Sequence, residues 1–248
     1  SDCPWNEDSQ LLLLGIQGKA VDFEDRPMSN LVFLLDVSGS IYSPDKLPLV
    51  QKSFGLLIDE LTENDRVSIV TYAGYEQVLL EGVTGDHKAQ IRETIDSLQA
   101  GGSTAGEAGI NRAYEIGEKY FIQGGNNRVI LATDGDLNVG LSSEEELTKL
   151  IEEKRESGIH LSVLGFGTGN IKDNKLEALA DNGDGNYAYI DSLMEAKKVL
   201  ADEMGGTLLT IAKDVKIQVE FNPAQVAGYR LIGYENRALA DEDFADDS

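Results

Sequence analysis

The chain has 248 residues, with 44 acidic and 21 basic side chains, and its formal net charge is −23 at pH 7. Nucleic acid and anionic membrane surfaces are therefore disfavoured as partners, because both would repel an acidic protein. Cys3 is the only cysteine, which excludes an intrachain disulfide and a cysteine-rich metal site. No stretch approaches the roughly 18 apolar residues of a membrane span.

The first 29 residues are polar except for Leu11–Phe23, which predicts one or two short strands. From Asn30 onward, apolar strand-like segments alternate with helical patterns. The predicted strands are residues 31–35, 66–74, 76–83, 127–136, 159–167 and 185–191. The predicted helices are residues 47–61, 87–99, 106–121, 143–158, 174–183 and 193–205.

This alternation predicts an α/β fold with three layers, in which a doubly wound, mainly parallel six-stranded sheet is covered by helices on both faces. The strands 66–74 and 76–83 are joined by a tight turn at Gly74 and Tyr75. So short a connection favours an antiparallel pair.

The pattern changes again after Gly206, where residues 207–221 alternate between apolar and polar side chains. This alternation predicts a half-exposed antiparallel strand. We expect an N-terminal β extension at 1–29, the α/β domain at 30–206, and part of a β-rich C-terminal segment at 207–248. The two terminal segments are expected to form one small flanking β module, with a disordered acidic tail.

Polar side chains mark the carboxyl ends of the predicted parallel strands, where open α/β sheets bind their ligands. Three separate segments bring small oxygen-bearing side chains to this edge: Asp36, Ser38 and Ser40 after the first of these strands, Ser103 and Thr104 in a glycine-rich loop, and Asp134 after the fourth strand. Residues two apart at the end of a strand turn toward the same side, so we expect these groups to reach one point.

The donor types of this cluster indicate a hard divalent cation. All of them are oxygens, which suits an octahedral Mg²⁺ ion or Mn²⁺, while Ca²⁺ usually takes more carboxylates and is the second choice. Two carboxylates and three hydroxyls, those of Ser38, Ser40 and Thr104, barely compensate the charge of such an ion. A bound cation would therefore remain electrophilic, with room for water or an incoming carboxylate.

The motifs Asp-x-Ser-x-Ser, Gly-Ser-Thr and Thr-Asp-Gly, in this order, resemble those of the von Willebrand factor type A (VWA) domain over residues 30–206. The resemblance implies five parallel strands with one antiparallel edge strand. It also implies a metal-ion-dependent adhesion site (MIDAS), whose ligands would be Asp36, Ser38, Ser40, Thr104 and Asp134. In that family a partner protein supplies a Glu or Asp carboxylate as the last ligand.

The segments that flank the predicted domain resemble bacterial YfbK-type proteins, which are often predicted to be lipoproteins or exported proteins. This resemblance implies a location in the bacterial cell envelope, exported or lipid-anchored in the full-length protein. It also implies that the chain lacks a preceding segment and is cut inside the following one.

Four further residues are expected near the site. Ser103 is expected beside the ligands or at the rim. Asp136 could assist the metal through water, but a role in stabilising the loop is the favoured interpretation. Tyr42 and Tyr75 are expected at the rim, where they could contact a partner.

We therefore expect a divalent-metal-dependent protein-binding module and not an enzyme. One alternative is a Mg²⁺-dependent phosphohydrolase with Asp36 as nucleophile, although Ser38 stands where such an enzyme would place a second aspartate. Another alternative is an assembly subunit that works beside an ATPase. This sequence has no Walker A motif, so the ATPase would be a separate chain.

Overall fold

The computed structural model of the protein describes residues 2–15, 27–103, 106–135, 144–167, 173–202 and 217–232. The chain divides into two compact units, one formed by Val21–Leu209 and the other by Ser1–Ala20 together with Thr210–Ser248. Among the described residues, no helix is long and apolar enough to cross a membrane. The segment boundaries at residues 29 and 206 stay predictions.

The smaller unit contains a short antiparallel hairpin of β1 (Asp2–Cys3) and β2 (Asn6–Gln10). The predicted strands over Leu11–Phe23 are wrong for residues 11–15, which have no regular secondary structure, and residues 16–23 lie outside the described part. The turn at Pro4 and Trp5 brings Cys3 opposite Asn6. Pairing therefore falls on the polar segment before the leucines.

The predicted strand over residues 207–221 is also wrong where it can be compared with the structure. Residues 217–221 have no regular secondary structure, and residues 207–216 lie outside the described residues. The chain turns at Asn222, whose carbonyl accepts a hydrogen bond from Val226 N–H at 3.0 Å. The Phe221 ring packs on Tyr229, with 4.7 Å between the centroids. In this described stretch a turn therefore brings Phe221 against Tyr229.

The larger unit is built on a six-stranded sheet with the order β5-β4-β3-β6-β7-β8. Its strands are β3 (Ser29–Asp36), β4 (Arg66–Tyr72), β5 (Glu76–Thr84), β6 (Asn126–Thr133), β7 (His160–Phe166) and β8 (Tyr187–Ile190). Only the β4–β5 pair is antiparallel, and β5 forms an edge of the sheet. This confirms the predicted α/β fold.

Helices connect these strands. They are α1 (Leu47–Asp59), α2 (Lys88–Asp96), α3 (Gly106–Lys119), α4 (Glu144–Arg155), α5 (Asp173–Asn182) and α6 (Leu193–Lys197). A 3₁₀ helix, Gly39–Tyr42, lies between β3 and α1, and a π-helical turn, Lys198–Asp202, follows α6.

The central strand β3 shows how the three layers form. Its side chains alternate between two cores, because successive residues of a strand point to opposite faces. Leu31, Phe33 and Leu35 pack in one core with apolar side chains of α1, α2 and α6. Val32 and Leu34 pack in the other core with side chains of α3, α4 and α5. Burial on both faces explains why β3 is continuously apolar from Leu31 to Leu35.

The strand order reverses at β3. The chain runs outward from β3 to β4 and β5, and then returns to place β6, β7 and β8 on the other side of β3. Crevices for ligands form beyond the carboxyl ends of strands at such a reversal. The carboxyl ends of β3 and β6 are therefore the expected site.

Candidate metal centre

Asp36 is the last residue of β3 and is fully buried. Its Oδ1 accepts a hydrogen bond from the Ser38 backbone N–H at 2.9 Å. The backbone N–H of Val37 donates to the Tyr72 carbonyl at 3.0 Å, so the ladder with β4 continues one residue past the aspartate. The carboxylate is therefore held in place where the chain begins to turn.

Two hydroxyls hold the other carboxylate oxygen. The Tyr72 hydroxyl on β4 and the Thr133 hydroxyl on β6 each donate to Asp36 Oδ2 at 3.2 Å. Tyr72 pairs with Asp36 in the register of β3 and β4, which places its hydroxyl within reach. The strands on both sides of β3 thus fix the orientation of the carboxylate.

The environment of Asp36 pulls its pKa in opposite directions. Burial raises the pKa, hydrogen bonds from Ser38 lower it, and the nearby negative charge of Asp134 raises it again, with the net result above the ordinary value. Burial and the Asp36 charge raise the pKa of the Tyr72 phenol well above its usual range. The phenol therefore keeps its proton and acts as a donor.

The two serines follow in the turn after β3. Ser38 is buried, Ser40 is exposed on the 3₁₀ helix, and their Oγ atoms lie 3.0 Å apart. Together with the hydrogen bond from Ser38 N–H to Asp36, this distance places the three side chains close together in the turn.

The glycine-rich loop before α3 is fastened to this turn by its main chain. Gly101 N–H donates to the Val37 carbonyl at 2.8 Å, and Gly39 N–H donates to the Gly102 carbonyl at 3.1 Å. Gly102 has φ +86°, a conformation that favours glycine. The exposed Ser103 follows directly, and Thr104 lies outside the described residues.

Asp134 follows β6 and is paired with a lysine. Lys46 Nζ lies 2.9 Å from Asp134 Oδ2 and 3.1 Å from the Ser40 carbonyl oxygen. The Asp134 side chain is 2% exposed and that of Lys46 is 26% exposed. The edge of the sheet thus accommodates a positive charge between the turn after β3 and the end of β6.

The predicted outer residues fall in different places. Tyr42 and Tyr75 are strongly exposed, at 79% and 72%. Ser103 lies near the β4–β5 turn, because a Cβ on Gly74 would stand 3.2 Å from its Oγ. Asp136 lies outside the described residues.

Three residues of this centre were not anticipated from the sequence: Lys46, Tyr72 and Thr133. The position of Thr133 immediately before Asp134 at a strand end was a usable signal. Tyr72 required the register of β3 and β4, and Lys46 required the path of a long side chain across the sheet edge.

The donor chemistry fits a hard divalent cation. Within the described ranges, no three His, Cys, Asp or Glu side chains gather into a metal-binding group. The centre instead combines two carboxylates with serine hydroxyls, which are ligands suited to Mg²⁺ or Mn²⁺ and not to thiolate- or imidazole-seeking metals. The Lys46 ammonium already stands against one of these carboxylates as a cation.

Comparison with known families identifies the fold. A family model described as "von Willebrand factor type A domain" matches residues 30–202. The chain belongs to the von Willebrand factor type A family. VWA domains are metal-dependent interaction modules. A second model, described as "Uncharacterized protein YfbK, C-terminal", matches residues 206–248.

The VWA chain has a bacterial relative of high similarity. "Uncharacterized protein YfbK" of Escherichia coli (strain K12) is 51% identical over 245 residues, covering 99% of this chain and 43% of that protein. The chain therefore spans less than half the length of this relative.

Solved VWA structures share the fold. A "von Willebrand factor type A" structure from Catenulispora acidiphila has a TM-score of 0.62 at 20% identity, covering 76% of this chain and 44% of that chain. Proximal thread matrix protein 1 from the mussel byssus, "with zinc occupied MIDAS motif", has a TM-score of 0.56 at 24% identity, covering 74% of this chain and 46% of that chain. At these identities the likeness shows the fold alone.

Proposed function

We propose that this VWA domain binds a divalent cation, Mg²⁺ in the first instance, and through it a carboxylate of a partner protein. The ligands would be Asp36, Ser38, Ser40, Thr104 and Asp134. The observation that carries this proposal is the meeting of the Asp36 turn and Asp134 at one sheet edge, where a lysine ammonium already lies against Asp134.

The electrostatics of the carboxylates support a cation. Burial is the main cause that raises the pKa of Asp36, and the nearby charge of Asp134 raises it further, so negative charge on Asp36 is disfavoured without a cation. A divalent cation would offset this penalty and offer an open coordination position to a carboxylate. Asp36 would be held ready by Tyr72 and Thr133, which fix its Oδ2.

The surroundings support a protein partner. The net charge of −23 would repel an acidic partner surface, and a cation between two carboxylates overcomes that repulsion locally. The exposed rings of Tyr42 and Tyr75 offer apolar contact area, and aromatic anchors commonly dominate binding energy. The proposed location is the bacterial cell envelope, as the resemblance of the flanking segments to YfbK-type proteins implies.

The geometry favours binding over catalysis. The Asp36 carboxylate is fully buried, so the bulky group of a phosphate ester would not reach it for nucleophilic attack, whereas a small cation at the sheet edge would. A phosphatase assay with p-nitrophenyl phosphate and Mg²⁺ tests the alternative, and turnover that disappears in Asp36→Asn would favour it.

The cation is tested by calorimetric titration of metal-stripped protein with Mg²⁺, Mn²⁺ and Ca²⁺. We expect one ion to bind the wild type and to be lost in Asp134→Asn. The matched control is Asp96→Asn, which removes an exposed carboxylate at the end of α2 and should bind as the wild type does. Equal binding to the wild type and Asp134→Asn would overturn the assignment.

The partner is tested by capture from a bacterial envelope extract on immobilised protein. A partner held through the cation should elute with EDTA and be absent from Asp134→Asn resin. Retention that is indifferent to both would contradict recruitment through a cation. An ATPase in the EDTA eluate would favour the assembly-subunit function.

A further inference from the structure

Lys46 contacts the candidate centre with its charged end. Its Nζ lies 2.9 Å from Asp134 Oδ2 and 3.1 Å from the carbonyl oxygen of Ser40. One contact is to a proposed metal ligand and the other is to the backbone of a second one. The ammonium therefore lies where the two halves of the centre meet.

The backbone of Lys46 is fixed, so only its side chain is free to leave. Its N–H donates to the Ser43 carbonyl at 3.0 Å, and its carbonyl accepts from Val50 N–H at 2.8 Å in the first turn of α1. The stem crosses Gly167 at the end of β7, where an added Cβ would lie 3.2 Å from Lys46 Cγ and Cε. The bare glycine leaves the path for the stem.

The Lys46 ammonium and a divalent cation would compete for the lone pairs of Asp134 Oδ2. A carboxylate oxygen that accepts a hydrogen bond from an ammonium cannot also give that lone pair to a metal, and two cations a few ångströms apart repel. Lys46 is 26% exposed, so its side chain can swing outward to water without opening the core.

From this geometry we infer that Lys46 is a tethered counter-cation. It neutralises Asp134 while no metal is bound, and it moves to solvent when a divalent cation binds, so it sets the cation concentration at which the centre fills. The inference rests on the proposed function, because it concerns the same site. The apparent dissociation constant then equals the intrinsic constant divided by the fraction of molecules in which the lysine has left Asp134.

The variant Lys46→Met tests the affinity. It keeps an unbranched stem over Gly167 and removes the charge. In calorimetry with Mg²⁺ and Mn²⁺, we expect the dissociation constant to fall about tenfold. Lys52→Met is the matched control, since Lys52 is exposed on α1 six positions further along, and it should bind as the wild type does.

The movement is tested on the unmodified protein by acetylation with an amine-reactive ester, followed by peptide mass spectrometry. We expect Lys46 to react several-fold faster in Mg²⁺ than in EDTA, with Lys52 unchanged. This measurement does not depend on a variant that folds, and it separates displacement from a mere change of local charge.

The outcomes are distinct. If the wild type binds a cation but Lys46→Met binds it equally or more weakly, the inference is overturned and the proposed function stands. Tighter binding with an unchanged acetylation rate would also overturn it, because the lysine would then act as a fixed charge. If neither protein binds a cation, the proposed function fails, and the inference fails with it.

Discussion

Replacing Asp36 with Asn should stabilise the metal-free protein while it abolishes cation binding. Asp36 is fully buried, and burial and the charge of Asp134 raise its pKa above the ordinary value. A carboxyl whose pKa is raised on folding binds its proton more tightly in the folded state, so its ionised form costs stability. An amide of the same shape removes that cost.

The hydrogen bonds of the site set the size of the effect. The Asn oxygen can accept from Ser38 N–H as Oδ1 does, at 2.9 Å. The side-chain amide can donate to the Tyr72 hydroxyl, which now donates to Oδ2, and Tyr72 can turn its own proton to the Thr133 hydroxyl, whose other lone pair accepts from Gly135 N–H. We therefore expect a net gain on the order of 1 kcal/mol, the size of one buried polar change. A domain of this length would then melt about 2–4 °C higher.

The pH dependence distinguishes this cause from others. Well below the ordinary aspartate range, at about pH 2.5, the wild-type carboxyl is protonated in both states, so the part of the stability difference that comes from its ionisation should vanish. The advantage of Asp36→Asn should grow as the pH rises through the raised pKa of Asp36 and then stay constant.

Thermal unfolding in EDTA between pH 3 and pH 8, with Asp96→Asn as the exposed-carboxylate control, measures this difference. Excess Mg²⁺ should then raise the melting temperature of the wild type and leave Asp36→Asn unchanged, because only a ligand that binds the folded state stabilises it. An Asn variant that melts below the wild type in EDTA at pH 8, or a gap that is independent of pH, would show that hydrogen bonds to the ionised carboxylate outweigh its burial.

Two further substitutions test how the site is supported. Tyr72→Phe removes a hydroxyl that donates to Asp36 Oδ2, so the free energy of unfolding should fall by about 1 kcal/mol. Because this hydrogen bond lowers the pKa of Asp36, cation binding should also shift to higher pH. Calorimetry at pH 6 and pH 8 measures the shift, and an unchanged pH dependence would contradict it. Gly109→Ala on α3 should lower the free energy of unfolding in urea by about 1–3 kcal/mol, because a Cβ would stand 2.8 Å from Tyr72 Cβ. The matched helical control is Gly55→Ala, whose Cβ meets only the end of the flexible Arg92 side chain at 3.3 Å. Equal effects of the two substitutions would argue against close packing at Gly109.

The sheet and the position of the candidate site at its edge could be predicted because local signals in the sequence were strong. A strand buried on both faces must be continuously apolar, and β3 is apolar from Leu31 to Leu35. A carboxylate directly after such a run marks a strand end, which places Asp36 and Asp134 at the same edge of a parallel sheet. Their meeting follows from the topology alone.

The remaining features depend on partners that lie far away in the sequence. The Tyr72 hydroxyl reaches Asp36 because of the register between β3 and β4, and Lys46 reaches Asp134 because Gly167 has no side chain in its path. The strand predictions for the terminal segments were wrong for a related reason. Alternation over residues 207–221 indicates a strand only if a neighbouring strand accepts its hydrogen bonds, and residues 217–221 have no such pairing.

The loop at Gly101 and Gly102 is joined to the turn after β3 by main-chain hydrogen bonds to Val37 and Gly39. Main-chain bonds are indifferent to the side chains that the same segments carry outward. Tyr42, on the 3₁₀ helix that follows this turn, could therefore be randomised as a display library, while the proposed cation ligands keep their mutual positions. The domain would then serve as a scaffold whose selectivity is exchanged without rebuilding its centre, and whose captured targets are released by a chelator.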